Sequence, residues 1–262
     1  MGTTSAGQQD SAAAGPGYTP GEVLRWLQTA DLVLEGRIAW SSNATFLCRL
    51  RPADQPLSAA SDLRAIYKPQ SGERPLWDFP EGSLCRRERA AYLVDEALGW
   101  GLVPPTLLRE GPYGYGAVQA FIPHDPERHL LAVKGWDRRA LRRLAAFDAL
   151  INNADRKSGH VLDDGAGRLW AIDHGVCFHQ EEKLRTVLWD WAGRLLPAHI
   201  RADLRAFLRR LGQPADPLPA ELAQLLDPAE VTALRQRARQ LVEGGRYPLP
   251  SPGRYALPWP PV

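Results

Sequence analysis

The chain has 262 residues, 44% of them hydrophobic, with 32 basic and 30 acidic side chains and a formal net charge of +2. That is enough apolar material for one large domain or two tightly joined small ones, and a charge so close to zero gives no global electrostatic case for nucleic acid as a partner. Three widely spaced cysteines (Cys48, Cys85, Cys177) without a CxxC suggest neither a disulfide framework nor a zinc site and fit a reducing, cytoplasmic setting, and no apolar run reaches the ~18 residues of a membrane span.

Residues 1–18 are small and polar, with no basic n-region or apolar h-region, and are expected to be a disordered tail rather than a signal peptide. Order is expected from Thr19, where Thr19, Pro20 and Glu22 form a capping box for a short helix ending near Ala30. LVLEGRIAW and TFLCRLR read as strands joined by the polar turn SSNA, and DLRAIYKP is a third strand ended by Pro69. QSGERPLWDFPEG is a loop. LCRRERAAYLVDEALG is a helix of about four turns stopped by Gly99. TLLREGPYGYGAVQAFIP reads as two strands around a Gly-rich hairpin turn. WDRRALRRLAAFDALIN is a second long helix, followed by the polar stretch NNADRKSGH and two short strands in HVLDDGAGRLWAID. From Val176 onward the pattern reads as mostly helical, with Asp227 and Glu230 as another capping signature. The tail YPLPSPGRYALPWPPV is too rich in proline for a helix and is expected to lie as an extended strap. The chain thus divides into a strand-rich part at 19–122, a helix-rich part at 123–246 and a Pro-rich tail at 247–262.

Four positions stand out. Only four of the basic residues are lysines, and Lys68 lies on an apolar strand, where burying an ammonium is costly unless an anion receives it. On the next helix Leu84, Ala91 and Leu98 share one face, and Glu88 sits on the same stripe as the nearest counter-charge in sequence. On the second long helix Asp148 interrupts the face made by Leu141, Leu144 and Ile151, placed to hydrogen-bond the following loop or Arg156. That loop carries Asp155, and Asp173 follows the second short strand. A loop aspartate suited to accept a proton, a strand-end aspartate suited to a divalent cation, and a lysine paired with a glutamate to grip phosphate are the working parts of phosphoryl transfer.

In that order, Lys68, Glu88, NNADRK and IDHG resemble the atypical kinases of the phosphatidylinositol 3-/4-kinase-like group, which includes the HipA-like kinases. They are most similar to an actinobacterial phosphatidylinositol-kinase-like branch. The resemblance covers roughly residues 30–200. It implies an α+β, bilobal protein-kinase-like fold, with an N-terminal antiparallel sheet lobe and a helical C-terminal lobe. It implies ATP with Mg2+ or Mn2+ as cofactors, Asp155 as catalytic base, Lys68 on the phosphates and Glu88 orienting it. Asp173 would hold metal, the turn of Ser41, Ser42 and Asn43 would cover the phosphates, and the backbone of Gln119, Ala120, Phe121 and Ile122 would hold adenine. Two positions depart from the family's pattern: His160 stands where the family has a metal-binding Asn, and His174 follows Asp173 in place of Phe. The expected function is phosphotransfer to an unknown acceptor, a protein or small molecule ahead of an inositol lipid. A nucleotide-binding pseudokinase and an AMP transferase on the same fold are the alternatives.

Overall fold

The computed structural model describes residues 18–39, 41–51, 63–252 and 255–262. The expected tail lies outside them except for Tyr18, which packs on the core below the sheet.

Helix α1 (Pro20–Thr29) starts with the Thr19/Glu22 capping box formed in both directions. Strands β1 (Asp31–Arg37), β2 (Phe46–Arg51), β3 (Arg64–Pro69), β4 (Thr106–Gly111) and β5 (Gly114–Ala120) make one antiparallel sheet in the order β1-β2-β3-β5-β4. Along β3 the two-residue period buries Ala65 and Tyr67 with Leu27, Cys48, Leu50 and Val118, and turns Ile66 and Lys68 to the opposite face. Beside Lys68 the sheet is tight: a Cβ on Gly116 would come within 2.4 Å of the Lys68 carbonyl oxygen, so only glycine fits there.

Helix α2 (Leu84–Leu98) ends at Gly99, which is left-handed with φ of 65°. Glu73 caps its start, accepting from the amides of Leu84 and Cys85. Although α2 precedes residue 122, it packs in the helical core. Ala90, Ala91, Leu93 and Val94 join Leu144, Phe147 and Leu150 of α3 (Arg138–Ile151) and Ile200, Leu204 and Phe207 of α4 (Ala198–Leu211). Helices α5 (Pro217–Leu225) and α6 (Pro228–Gly244) complete that core, and β6 (Val161–Asp163) with β7 (Leu169–Ala171) forms the small hairpin after the polar stretch. Buried charges anchor α2. Arg87 is bonded to Glu230 of α6 at 2.7 Å and to the Cys177 carbonyl, and Asp95 accepts from the amides of Leu102 and Val103.

From Val176 to Arg246 the chain is mostly helical, through α4, α5 and α6, but its first stretch is not. Residues 176–197 contain no α-helix, only a single 3-10 turn at Trp189–Trp191. From 176 to 187 their backbone bonds mainly to the polar stretch and its flanks. Ala154 donates to the Val176 carbonyl, Phe178 to Ile151 and Arg185 to Asn153, while Arg156 and Thr186 form a parallel bridge. Each bond taken by the neighbouring loop is one denied to a helix. The Pro-rich tail runs extended over the same region, its Ala256 carbonyl accepting from Thr186 and its Pro261 carbonyl from Ser158. No helix among the described residues is long and apolar enough to cross a membrane.

Glu230→Ala leaves the Arg87 guanidinium buried without its carboxylate, which costs about 3–5 kcal/mol. Chemical denaturation should show that loss, and an unchanged midpoint would remove the pair from the packing of α2.

Candidate active site

The polar stretch is shaped by its own asparagines. Asn152 ends α3 in the left-handed region at φ 56°, a conformation asparagine tolerates. Its side-chain amide donates to the His179 and Glu181 carbonyls and its carbonyl accepts from the Lys183 amide. Asn153 accepts from the Asp155 amide at 2.9 Å and donates to Asp148. The centre of the loop is Arg156, 0% exposed. Its guanidinium is bonded to both oxygens of buried Asp148 at 3.1 Å, donates to the Ile172 and His160 carbonyls, and donates to His174 Nε2 at 2.7 Å. A buried guanidinium has five N–H groups to satisfy, so these bonds fix the loop against α3 and against the end of β7.

Just past β7, Asp173 is left-handed at φ 61°. That turn sends its carboxylate to Lys68, with Oδ1 3.0 Å from Nζ, while the next residue points inward. Lys68 also donates to Glu88 Oε1. Glu88 is 2% exposed, and its other oxygen accepts from the His174 amide at 3.0 Å. His160 Nε2 lies 3.3 Å from Asp173 Oδ2. Lys68, Glu88, Asp173 and His160 therefore meet in one cluster. Asp155 lies near enough for the Asp173 charge to act on it, with Lys157 Nζ 3.7 Å away.

Burial works against the Lys68 charge, but Asp173 and Glu88 outweigh it and push its pKa up. Lys68 in turn holds the Asp173 carboxyl well below the usual carboxylate range. Burial lowers His160 to about 4, leaving it neutral at pH 7. Burial and the Arg156 charge likewise keep His174 neutral. Asp155 goes the other way: burial, with help from Asp173 and against Lys157, raises it to about 6. Two carboxylates of one site are thus pushed apart, one firmly ionised and one able to exchange a proton near neutrality.

The turn of Ser41, Ser42 and Asn43 sits at the Lys68 end of the sheet, because Phe46, just after it, pairs with Tyr67. Ser41 is bonded to Thr45 and the Asn43 side chain accepts from the Arg74 amide, while Ser42 makes no side-chain hydrogen bond among the described residues. None of the three touches the Lys68 cluster. At the far end of β5, the Gln119 side chain is bonded to Thr106, and the amides of Ala120 and Phe121 are taken by the Pro105 and Arg64 carbonyls. The Ile122 amide makes no backbone bond among the described residues.

Three residues gained no role from sequence alone: the buried Arg87, the inward-facing His174 and Lys157. Lys157 had a signal, being one of four lysines in an arginine-rich chain and two positions from Asp155. Arg87 had one too, falling on the stripe of Leu84, Ala91 and Leu98 with its partner Glu230 remote in sequence, whereas His174 had none, its partner Arg156 lying eighteen residues away.

Among the described residues no group of three or more His, Cys, Asp or Glu side chains is arranged as a metal site. Asp173 and His160 do suit a shared cation, being an ionised carboxylate and a neutral imidazole 3.3 Å apart. Where His160 Nδ1 accepts from the Lys157 amide at 3.5 Å, Nε2 carries the proton and donates to Asp173. Moving that proton to Nδ1 frees the Nε2 lone pair and gives up the long Lys157 bond and the donation to Asp173, whose oxygen the cation would then bind. Magnesium sites of this kind take one or two carboxylates and complete their shell with phosphate oxygens and water.

No protein-family profile matches the chain. Protein Rv2133c of Mycobacterium tuberculosis is 40% identical over 269 residues, covering 89% of this chain and 93% of that one. Phosphatidylinositol 4-kinase gamma 4 of Oryza sativa subsp. japonica is 26% identical over 170 residues, covering 58% of this chain but only 30% of the plant protein. Among solved structures, hydra Fam20 with sugar superposes with a TM-score of 0.50 at 15% identity, over 86% of this chain and 88% of that one. At that identity the likeness is one of fold, the bilobal protein-kinase-like α+β arrangement.

The Asp155 carboxyl, followed by carbon-13 NMR, should titrate at about 6. Asp173→Asn removes the neighbouring charge and should lower that midpoint. A wild-type midpoint in the ordinary aspartate range, unmoved by the substitution, would show that the two carboxyls do not share a site.

Proposed function

We propose ATP-dependent phosphotransfer for this chain, which belongs to the same family as Protein Rv2133c of Mycobacterium tuberculosis. The observation that carries the proposal is the Lys68 ammonium held between Glu88 and Asp173. An ammonium fixed by two carboxylates at a strand end is a compact point charge suited to phosphate oxygens. Along β3, Ala65 pairs with Ala120 and Lys68 pairs with Ala117, so three residues, or about 10 Å, separate the end of β5 from the ammonium. A nucleotide laid along that edge puts adenine against the Ile122 amide and its phosphates at Lys68, below the turn of Ser41, Ser42 and Asn43.

Asp155 is the base. Its carboxylate takes the proton of the acceptor hydroxyl as that oxygen bonds to the γ-phosphorus, and the bond from γ-phosphorus to the bridging oxygen breaks to release ADP. Lys157 stands beside the reacting group as a second cation. Glu88 orients Lys68. Asp173, with His160, would hold a divalent cation, which neutralises phosphate charge when bound. The placement next to HipA-like kinases rests on motif order alone. The acceptor is a protein or small molecule ahead of an inositol lipid, since the plant lipid-kinase match covers under a third of that protein. A net charge of +2 speaks against nucleic acid, and three free, buried thiols suit the cytoplasm.

Four results test this. ATP labelled on the γ-phosphate and incubated with the protein and a cell lysate should label an acceptor. Label delivered from the α-phosphate would mean AMP transfer, and none from either would mean a pseudokinase. Asp155→Asn should lower kcat by about 10²–10⁴-fold with nucleotide affinity near that of wild type, whereas Asp173→Asn should weaken cation-dependent nucleotide binding. Because only ionised Asp155 accepts a proton, kcat/KM should fall as pH drops through about 6, and a flat profile from pH 5 to 8 would reject Asp155 as the base. Finally, imidazole suits manganese better than magnesium. ATP binding should therefore favour Mn2+ in wild type, and His160→Asn should make Mg2+ sufficient. Identical cation profiles for the two proteins would take His160 out of the metal site.

A further inference from the structure

His174 touches both halves of the proposed machinery. Its backbone amide donates to Glu88 Oε2 at 3.0 Å, on the carboxylate that holds Lys68. Its ring Nε2 accepts from Arg156 Nη2 at 2.7 Å, next in sequence to Asp155. It directly follows Asp173, whose left-handed turn sends one side chain toward Lys68 and the next into the interior. The ring is 0% exposed and lies edge-on to Phe147 at 5.8 Å and 85°.

The direction of the ring bond is fixed, because a guanidinium only donates. Nε2 is therefore the acceptor and the neutral ring carries its proton on Nδ1. That atom is buried without a partner, 3.9 Å from Glu88 Oε2. The ring is held by one strong bond, and that bond is to Arg156. On the other side, the remaining donors of Arg156 are used by Asp148 and the carbonyls of Ile172 and His160. Among the described residues Nη2 makes no other hydrogen bond, although it also lies 3.1 Å from Asp148 Oδ1 in the ion pair. A phenylalanine here would keep the ring and its packing on Phe147 but leave one guanidinium N–H unpaired in a sealed site.

We propose that His174 is a positioning residue that sets the loop carrying Asp155 in register with Glu88 and Asp173, by accepting from Arg156 while its own amide is bonded to Glu88. It touches neither nucleotide nor acceptor and acts through Arg156. Its role in turnover rests on the phosphotransfer proposed above; its role in fixing the loop does not.

The test uses the full chain with His174→Phe and His174→Gln. Phenylalanine removes the acceptor and keeps the ring, whereas the glutamine carbonyl can accept from Arg156 in place of Nε2. Hydrogen exchange at the Asp155, Arg156 and Ser158 amides should quicken by about tenfold or more in His174→Phe, the order expected when one buried donor loses its partner. Val118 in the sheet and Leu234 in α6 should keep their wild-type rates, and His174→Gln should exchange like wild type throughout. With an acceptor in hand, His174→Phe should lower kcat by about 100-fold, the scale of a small misplacement of a reacting group. KM for ATP should not change, and His174→Gln should recover most of the rate. Wild-type exchange in the loop of His174→Phe, or equal acceleration at every amide, would overturn the proposal. If the wild-type protein transfers phosphate to nothing, phosphotransfer fails, and the exchange data still decide whether His174 sets the loop.

Discussion

A guanidinium with no exposure to water is the constraint on which the rest of this structure depends. Arg156 cannot lose its charge, so every N–H it carries must find an acceptor inside the protein. The acceptors come from four places in the chain: Asp148 on α3, the His160 carbonyl at the end of the loop, the Ile172 carbonyl past β7, and the ring of His174. Satisfying one side chain thus brings Asp155 and Asp173, eighteen residues apart, to a common site. Thr186 adds a bond to the same Asp148, and the bridge between Arg156 and Thr186 ties down the segment that follows.

A second buried network does for α2 what Arg156 does for the loop. Glu88 is useful to Lys68 only if the helix beneath it stays in place. Arg87, one residue earlier, is bonded to Glu230 and the Cys177 carbonyl, and Asp95 two turns later caps the turn at Leu102 and Val103. Both lie among the apolar residues that α2 shares with α3 and α4. The helix that carries Glu88 is thereby part of the helical core, while Lys68 belongs to the sheet. The ion pair between Lys68 and Glu88 is the seam between the two, with the Lys68 side chain 20% exposed.

Much of the fold was legible because local chemistry and long-range packing agree there. The capping boxes of Thr19 and Asp227, the stop at Gly99 and the Gly-rich hairpin between β4 and β5 are decided within a few residues. The charged order from Lys68 to Asp173 was legible for a different reason: each of those residues is an ionisable group set where an ionisable group is costly. The broad reading of a helical segment from Val176 holds for α4 to α6 but does not resolve 176–197, whose backbone is claimed largely by the loop and the tail. The sequence is silent on the partners of Arg87 and Asp95, which fall on the stripe of Leu84, Ala91 and Leu98 and are buried. It is silent too on the inward turn of His174, which follows from the left-handed backbone at Asp173 and from a partner eighteen residues away. For Arg87, His174 and residues 176–187 the deciding partner is far off in the chain.

The claim at the centre of this account is that the Lys68, Glu88 and Asp173 cluster grips the phosphates of a nucleotide. Calorimetric titration of a non-hydrolysable ATP analogue with a divalent cation, into wild type and Lys68→Met, tests it without any knowledge of the acceptor. The account predicts saturable, cation-dependent binding by the wild-type protein and its loss in the variant, with the fold retained. Equal affinity in the two proteins would contradict it.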